Sequence, residues 1–187
     1  MRVNYTNITF FHLDNTGSWD PSWKIVPENY TSKGWVYLVI TGKNGLSQAH
    51  PIHLHGHDFA LLEQAYNKTF NPKNVNAKFD NPPRRDVVLL PTKGYVVIAF
   101  KVDNPGAWLV HCHIAFHIAK GLGMQIMERQ SNANKTWPKG NSNAIKEAER
   151  VCDNWESWYG NKSNWASPPG TCSYTNKEFC FQEHSGV

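Results

Sequence analysis

Residues 95–128 read YVVIAFKVDNPGAWLVHCHIAFHIAKGLGMQIME. Three short runs rich in β-branched and aromatic residues, Tyr95–Val102, Ala107–His113 and Gly123–Glu128, are punctuated by the turn DNPG and by a glycine-containing stretch. Runs of this length between turn signals predict strands, and their close spacing predicts an antiparallel sandwich or barrel. The same stretch carries the chemistry. A cysteine lies between two histidines, His111-Cys112-His113, and a further histidine follows at His117.

The flanking segments extend the pattern. Asp86–Leu90 followed by PTKG, Phe59–Tyr66, and Gly34–Thr41 running into the turn TGKNG all read as strands, as does Asn7–Leu13 near the start. Asn67–Arg84, with three prolines and several Asn and Lys, reads as a long surface loop. Beyond the strands, Ile145, Ala148, Val151, Trp155 and Trp158 recur at helical spacing and predict a helix over Asn143–Trp158, followed by a loop-rich tail.

The chain has 187 residues, long enough for one domain with an appendage and for a core that does not depend on disulfides. Its hydrophobic fraction of 40% excludes a disordered chain, and no apolar run approaches the length of a membrane-spanning helix. The net charge of +4 is spread without a basic block, which argues against nucleic acid as a partner. Asn-X-Ser/Thr acceptors at Asn4, Asn7, Asn29, Asn67, Asn134 and Asn161 exceed chance placement and predict a secreted, extracellular glycoprotein. The opening MRVNYTNITF has no apolar segment of the signal-peptide kind, so a secreted piece whose beginning is missing is expected.

Of nine histidines, seven fall in two segments, HPIHLHGH over residues 50–57 and HCHIAFH over residues 111–117. An isolated histidine is usually structural, whereas clusters with HxH spacing point to metal. On a strand, side chains alternate faces, so His111 and His113 face one way and Cys112 the other. His53 and His55 likewise share a face, and His50, set off by Pro51, can point elsewhere. One strand can therefore serve two metal sites back to back. One cysteine with two histidines from separate segments is the donor set of a trigonal blue-copper site, which His50, Cys112 and His117 would fill. Four further imidazoles, His53, His55, His111 and His113, suit copper, zinc or iron. A structural zinc site would instead use a closed set with CxxC or HxxxH spacing, and the zinc-hydrolase order HxHxDH is not present.

The segments HPIHLHGHDF and HCHIAFHIAKGL resemble the third and fourth copper-binding motifs of the multicopper oxidases. NPPRRDVVLLPTKGYVVIAFKVDNPGAWLVHCHI is similar to the C-terminal cupredoxin domain of laccases, especially those of ascomycete fungi. The resemblance covers Gly34 to Arg129 strongly and the flanks more weakly. It implies an all-β, Greek-key cupredoxin sandwich over residues 1–130, the third such domain of its protein. Residues 131–187 would then be a helix and a disulfide-bearing C-terminal extension.

Position by position, the resemblance implies a type 1 copper on His50, Cys112 and His117, with Leu122 at the non-coordinating axial position. His53 would serve a type 2 copper, and His55, His111 and His113 the type 3 pair. His57 lies in the motif without being a ligand in the family. Asp58 could orient a ligand histidine, Arg84, Arg85 and Asp86 would form an ion pair or loop anchor, and Trp108 would pack beneath the copper strand.

The implied activity is that of a laccase: one-electron oxidation of phenols or aromatic amines, as in lignin degradation, coupled to reduction of dioxygen to water. Phe116, and more distantly Phe79, would line the substrate pocket. The missing histidines of the trinuclear cluster would come from N-terminal cupredoxin domains of the same oxidase, since His12 and His184 are isolated. A ferroxidase, a stand-alone blue-copper electron carrier and an inactive gene fragment are the competing readings. Cys172 and Cys180 are close enough to bridge, which leaves Cys152 unpaired or paired outside the chain; in related laccases a cysteine in this helix bonds to the first domain. The end, His184-Ser185-Gly186-Val187, has His where the family's plug-forming tail often has Asp.

Overall fold

A computed structural model describes residues 24–26, 34–42, 48–119, 121–138 and 142–164. The chain divides into two compact units, Met1–Trp137 and Pro138–Val187. The described strands of the first unit are β1 (Lys24–Val26), β2 (Trp35–Thr41), β3 (His50–Leu54), β4 (Phe59–Ala65), β5 (Arg84–Arg85), β6 (Val87–Leu90), β7 (Tyr95–Lys101), β8 (Gly106–Cys112) and β9 (Gly123–Glu128). They form a five-stranded sheet in the order β1-β9-β8-β3-β6 and a four-stranded sheet in the order β2-β7-β4-β5. The pairings are antiparallel except β1 with β9, which is parallel. The mainly antiparallel, all-β architecture is the expected one.

Side-chain alternation builds the core between the sheets. On β7, Val96, Ile98 and Phe100 are fully buried and meet Ile52, Leu54, Val110 and Cys112 of the five-stranded sheet. Burying each of those large apolar side chains contributes about 1.5–3 kcal/mol. The other face of β7 is also covered: Tyr95, Val97 and Ala99 pack with Ala60, Leu62 and Ala65 under Phe70, Val75 and Ala77. The expected surface loop over residues 67–84 thus has an apolar underside. Most of it is irregular, but Pro72–Asn74 forms a 3-10 turn capped by the Asn71 side chain, and Arg84 already belongs to β5.

Two short helices were not legible as helices. α1 (Ala115–Ala119) has the sequence AFHIA, one turn long and too short for periodicity to separate from a strand. α2 (Gln130–Thr136) reads QSNANKT, a polar stretch whose Ser, Asn and Thr residues favour turns in isolation. It is held by burial of Ala133 against Ala107 and Met127. The predicted strand Asn7–Leu13 lies outside the described residues.

In the second unit, α3 (Asn143–Gly160) extends the predicted helix by two residues, with the Ser142 hydroxyl accepting from the Ile145 N–H at 3.3 Å as an N-cap. Trp155 stacks on Trp158 and Tyr159 at 5.3 and 5.7 Å. No helix among the described residues is long and apolar enough to cross a membrane.

Candidate metal centre

The register of β3 against β8 decides which histidines meet. Ile52 lies opposite Cys112, and His53 opposite His111. Directly opposed residues share a face of the sheet. The even-numbered residues of β3, His50, Ile52 and Leu54, are buried along with Cys112 on the inner face, and His53 and His111 lie on the outer face.

At the inner face, three donors converge. Cys112 Sγ lies 3.4 Å from His117 Nδ1 and 3.6 Å from His50 Nδ1, and the two nitrogens are 3.2 Å apart. His117 gets there because the chain after Cys112 turns through α1 and returns. The Cys112 N–H donates to the Leu122 carbonyl, and the Leu122 N–H to the His117 carbonyl, each at 3.0 Å. Gly121, with φ of +94°, takes a left-handed conformation that a side chain would oppose. Leu122 is thus anchored through its backbone at the rim of the cluster, and its side chain is partly exposed.

The cluster's electrostatics fit a soft cation. Burial pushes the Cys112 thiol above its ordinary pKa, against a backbone hydrogen bond at Ile114 that lowers it. Burial, reinforced by nearby His117, holds the His50 imidazole below its ordinary pKa and so keeps its lone pair free. A bound cation would stabilise the thiolate that burial alone disfavours. His50, Cys112 and His117 are a group able to hold a metal ion, with donor atoms all within 4.8 Å of one another. One sulfur and two imidazole nitrogens are a donor set suited to copper.

On the outer face, His55 Nε2 and His111 Nε2 are 3.0 Å apart. His53 packs against His55, His111 and His113 with ring centroids 4.7, 5.7 and 5.6 Å away, and His111 stacks on His113 at 5.5 Å. Backbone carbonyls orient two of these rings. His53 Nδ1 donates to Asp86 O and His111 Nδ1 to Cys112 O, each at 2.9 Å, which leaves both Nε2 atoms available as ligands. Burial comes first in lowering the His55 and His111 pKa values, and their neighbouring histidines add to it; on His111 the Cys112 carbonyl opposes the shift. His55 and His111, held toward the neutral form, offer a cation two imidazole nitrogens 3.0 Å apart.

The remaining expected residues fall as follows. Phe116 is exposed, its ring edge-on to His117 at 4.3 Å. Phe79 lies elsewhere, in a groove of about 410 Å³ with Trp35, Tyr37, Asn81 and Arg84. The Arg84 guanidinium bonds the Asp58 carboxylate at 2.9 Å, so Arg84 is indeed an anchor, but its partner is Asp58. Asp58 is therefore engaged by an arginine; the carboxylate that hydrogen-bonds a histidine of the motif is Glu128, 2.8 Å from His57 Nε2, while Asp86 Oδ2 lies 3.9 Å from His53 Nδ1. Glu128 ends the strand GMQIME, and nothing in its local sequence separates it from a solvent-facing residue. Trp108 packs against His57 and Trp137 at 5.9 and 6.0 Å. Asn67 and Asn161 are exposed and Asn134 is half-buried. Cys152 is half-buried and makes no disulfide among the described residues. Asn4, Asn7, Asn29, Cys172, Cys180 and the terminal tetrapeptide lie outside the described residues.

A family model described as multicopper oxidase matches residues 2–132. A laccase of Arthroderma benhamiae is 42% identical over 194 residues, covering 100% of this chain and 29% of the relative. Laccase-1 of Botryotinia fuckeliana is 42% identical over 162 residues, covering 83% of this chain and 27% of the relative. Among solved structures, the laccase of Botrytis aclada superposes with a TM-score of 0.64 at 36% identity, covering 86% of this chain and 29% of that one. Fet3p, described as a multicopper oxidase that functions in iron import, gives 0.61 at 28% identity, covering 73% of this chain and 26% of that one. The chain spans less than a third of the length of these relatives.

Proposed function

The chain belongs to the multicopper oxidase family, and from that premise we propose that it is the copper-bearing C-terminal cupredoxin domain of a secreted, glycosylated laccase-type oxidase. The observation that carries this reading is the back-to-back arrangement on β3 and β8: Cys112 converges with His50 and His117 on the inner face, and four imidazoles gather on the outer one. In this reading His50, Cys112 and His117 hold the type 1 copper, His53 serves the type 2 copper, and His55, His111 and His113 serve the type 3 pair. The chemistry copper supplies when bound is one-electron acceptance from a phenol or aromatic amine at the thiolate site and four-electron reduction of dioxygen to two waters at a cluster completed by other domains.

The chain's own residues do the positioning. Cys112 is bonded directly to His111 and His113, so the shortest connection between the two ligand sets is the backbone of one strand end. The hydrogen bond from His111 Nδ1 to the Cys112 carbonyl adds a second connection. His117 sits near the surface beside exposed Phe116, which gives a reducing substrate an aromatic neighbour at the ligand edge. Domain 1–130 would carry this machinery and residues 131–187 the extension, with N-terminal domains of the same oxidase as partners.

Copper loading of the 187-residue chain tests the reading. An intense blue thiolate-to-copper band, lost in Cys112→Ser, is expected; a folded but colourless chain would overturn the type 1 assignment. Likeness to Fet3p favours one second reading, iron(II) as the reductant. Assay of the complete oxidase with phenols and with iron(II) separates the two.

A further inference from the structure

We propose that His57 and Glu128 are a buried positioning pair that sets the His55 imidazole for metal binding on the outer face of the five-stranded sheet. The proposal rests on His55 being a metal ligand.

The other outer-face ligands on β3 and β8 are fixed by strand pairing: His53 and His111 oppose each other in the ladder. His55 lies one residue beyond the end of β3, in a turn, where its N–H still reaches the Leu109 carbonyl at 2.9 Å. What grips the rest of that turn is a polar network reaching in from distant parts of the chain. His57, with its side chain 3% exposed, engages both ring nitrogens: Nδ1 lies 3.1 Å from the His55 carbonyl oxygen and Nε2 shares a 2.8 Å hydrogen bond with Glu128 Oε2. The Glu128 side chain is 0% exposed, and its other oxygen accepts the Asn104 N–H at 3.0 Å. Asn104 Nδ2 in turn donates to the Gly56 carbonyl at 2.8 Å, and the Asn104 carbonyl accepts from Trp108 Nε1 at 2.7 Å.

Two consecutive carbonyls, of His55 and Gly56, are therefore held by one network whose hub is a fully buried carboxylate. Gly56 completes the fit. At φ of +72° its α-carbon lies so close to the Trp108 ring that an added Cβ would sit 2.5 Å from it. The His57 ring rests on Phe100 at 4.9 Å, so the pair is braced by the core as well.

A buried polar pair is not by itself a good source of stability, because the lost hydration offsets the attraction. Replacing one with groups of similar shape is often neutral for folding. The directional output of this pair is the orientation of the turn that bears His55. Outer partners of this kind tune metal affinity by orienting the ligand.

The test uses the 187-residue chain titrated with Cu(II) and read by absorption and electron paramagnetic resonance. The thiolate band reports the Cys112 cluster, and a nitrogen-only Cu(II) signal reports the four imidazoles. In the double variant His57→Phe with Glu128→Gln, the ring shape and the acceptor for Asn104 are kept and the grip on His55 is lost. Nitrogen-only binding should weaken about 10–100-fold, with the thiolate band and the cooperative melt unchanged. Asn104→Ala, which releases Gly56 alone, should weaken the same signal about tenfold, and it decides the matter if the double variant does not fold. Folded variants that bind at this face as the wild type does would overturn the positioning role. Parallel loss of both signals would reduce the pair to a structural one and overturn it too. A wild-type chain with the blue band and no nitrogen-only signal, with the same result in the complete oxidase, would overturn the reading of His55 as a ligand, and this proposal with it.

Discussion

Cys112 and His111, consecutive in the chain, face opposite sides of one sheet, and the Cys112 carbonyl accepts a 2.9 Å hydrogen bond from His111 Nδ1. The two donor groups are thereby separate in space and joined through a single stretch of backbone. Each can be removed without touching the other.

The two positions should titrate independently toward copper. Cys112→Ser should lose the thiolate band and keep nitrogen-only binding, and His111→Gln should do the reverse. Each loss should be at least the ~10–100-fold that removal of an outer partner costs. Joint loss of both signals in either variant would show that the two faces do not act as separate sites.

Gly56→Ala should destabilise the chain by about 1–3 kcal/mol, since a methyl group would press on the Trp108 ring and the left-handed backbone opposes a side chain. A shift of the denaturant midpoint measures it. A variant as stable as wild type would mean that the turn and Trp108 can move apart freely.

Phe100→Ala should cost about 3–5 kcal/mol. Phe100 is 0% exposed and central to the core shared by the two sheets, and it also supports the His57 ring. Equilibrium unfolding of the variant checks this value.

Acid should loosen the loop over β7. Burial works against the Glu63 charge, but the Tyr95 hydroxyl at 2.7 Å, the Asn76 N–H at 2.9 Å and Lys68 outweigh it and hold the carboxyl below its ordinary value of 4.5. A carboxyl depressed in the folded state contributes stability above its unfolded pKa and loses it as pH falls through the folded one. Wild-type melting temperature should therefore drop more steeply below about pH 4.5 than that of Glu63→Gln. Parallel profiles in the two proteins would remove Glu63 from the account.

Much of this was legible from the chain alone, because its signals are local. Alternation on a strand separates Cys112 from His111 and His113 whatever the strand pairs with. Turn residues bound β7, β8 and β9, and helical spacing marks α3 to within two residues at its end. The donor types at His50, Cys112 and His117 by themselves point to a soft metal.

The tertiary structure decided what depends on residues far apart in sequence. The alignment of Ile52 with Cys112 brings His50 to the thiol across 62 positions, and a one-residue slip would have placed the histidines of β3 on the wrong faces. The one-turn helix α1 returns His117 to the cluster, a geometry that five residues of sequence do not specify. Asp58 is not the carboxylate that meets His57, for the same reason. The carboxylate one residue from His57 binds Arg84, and the one 71 positions away binds the ring. Proximity along the chain ranks partners only until the sheets stack; after that, burial does, because a carboxylate with no access to water must have its hydrogen-bond donors within the fold.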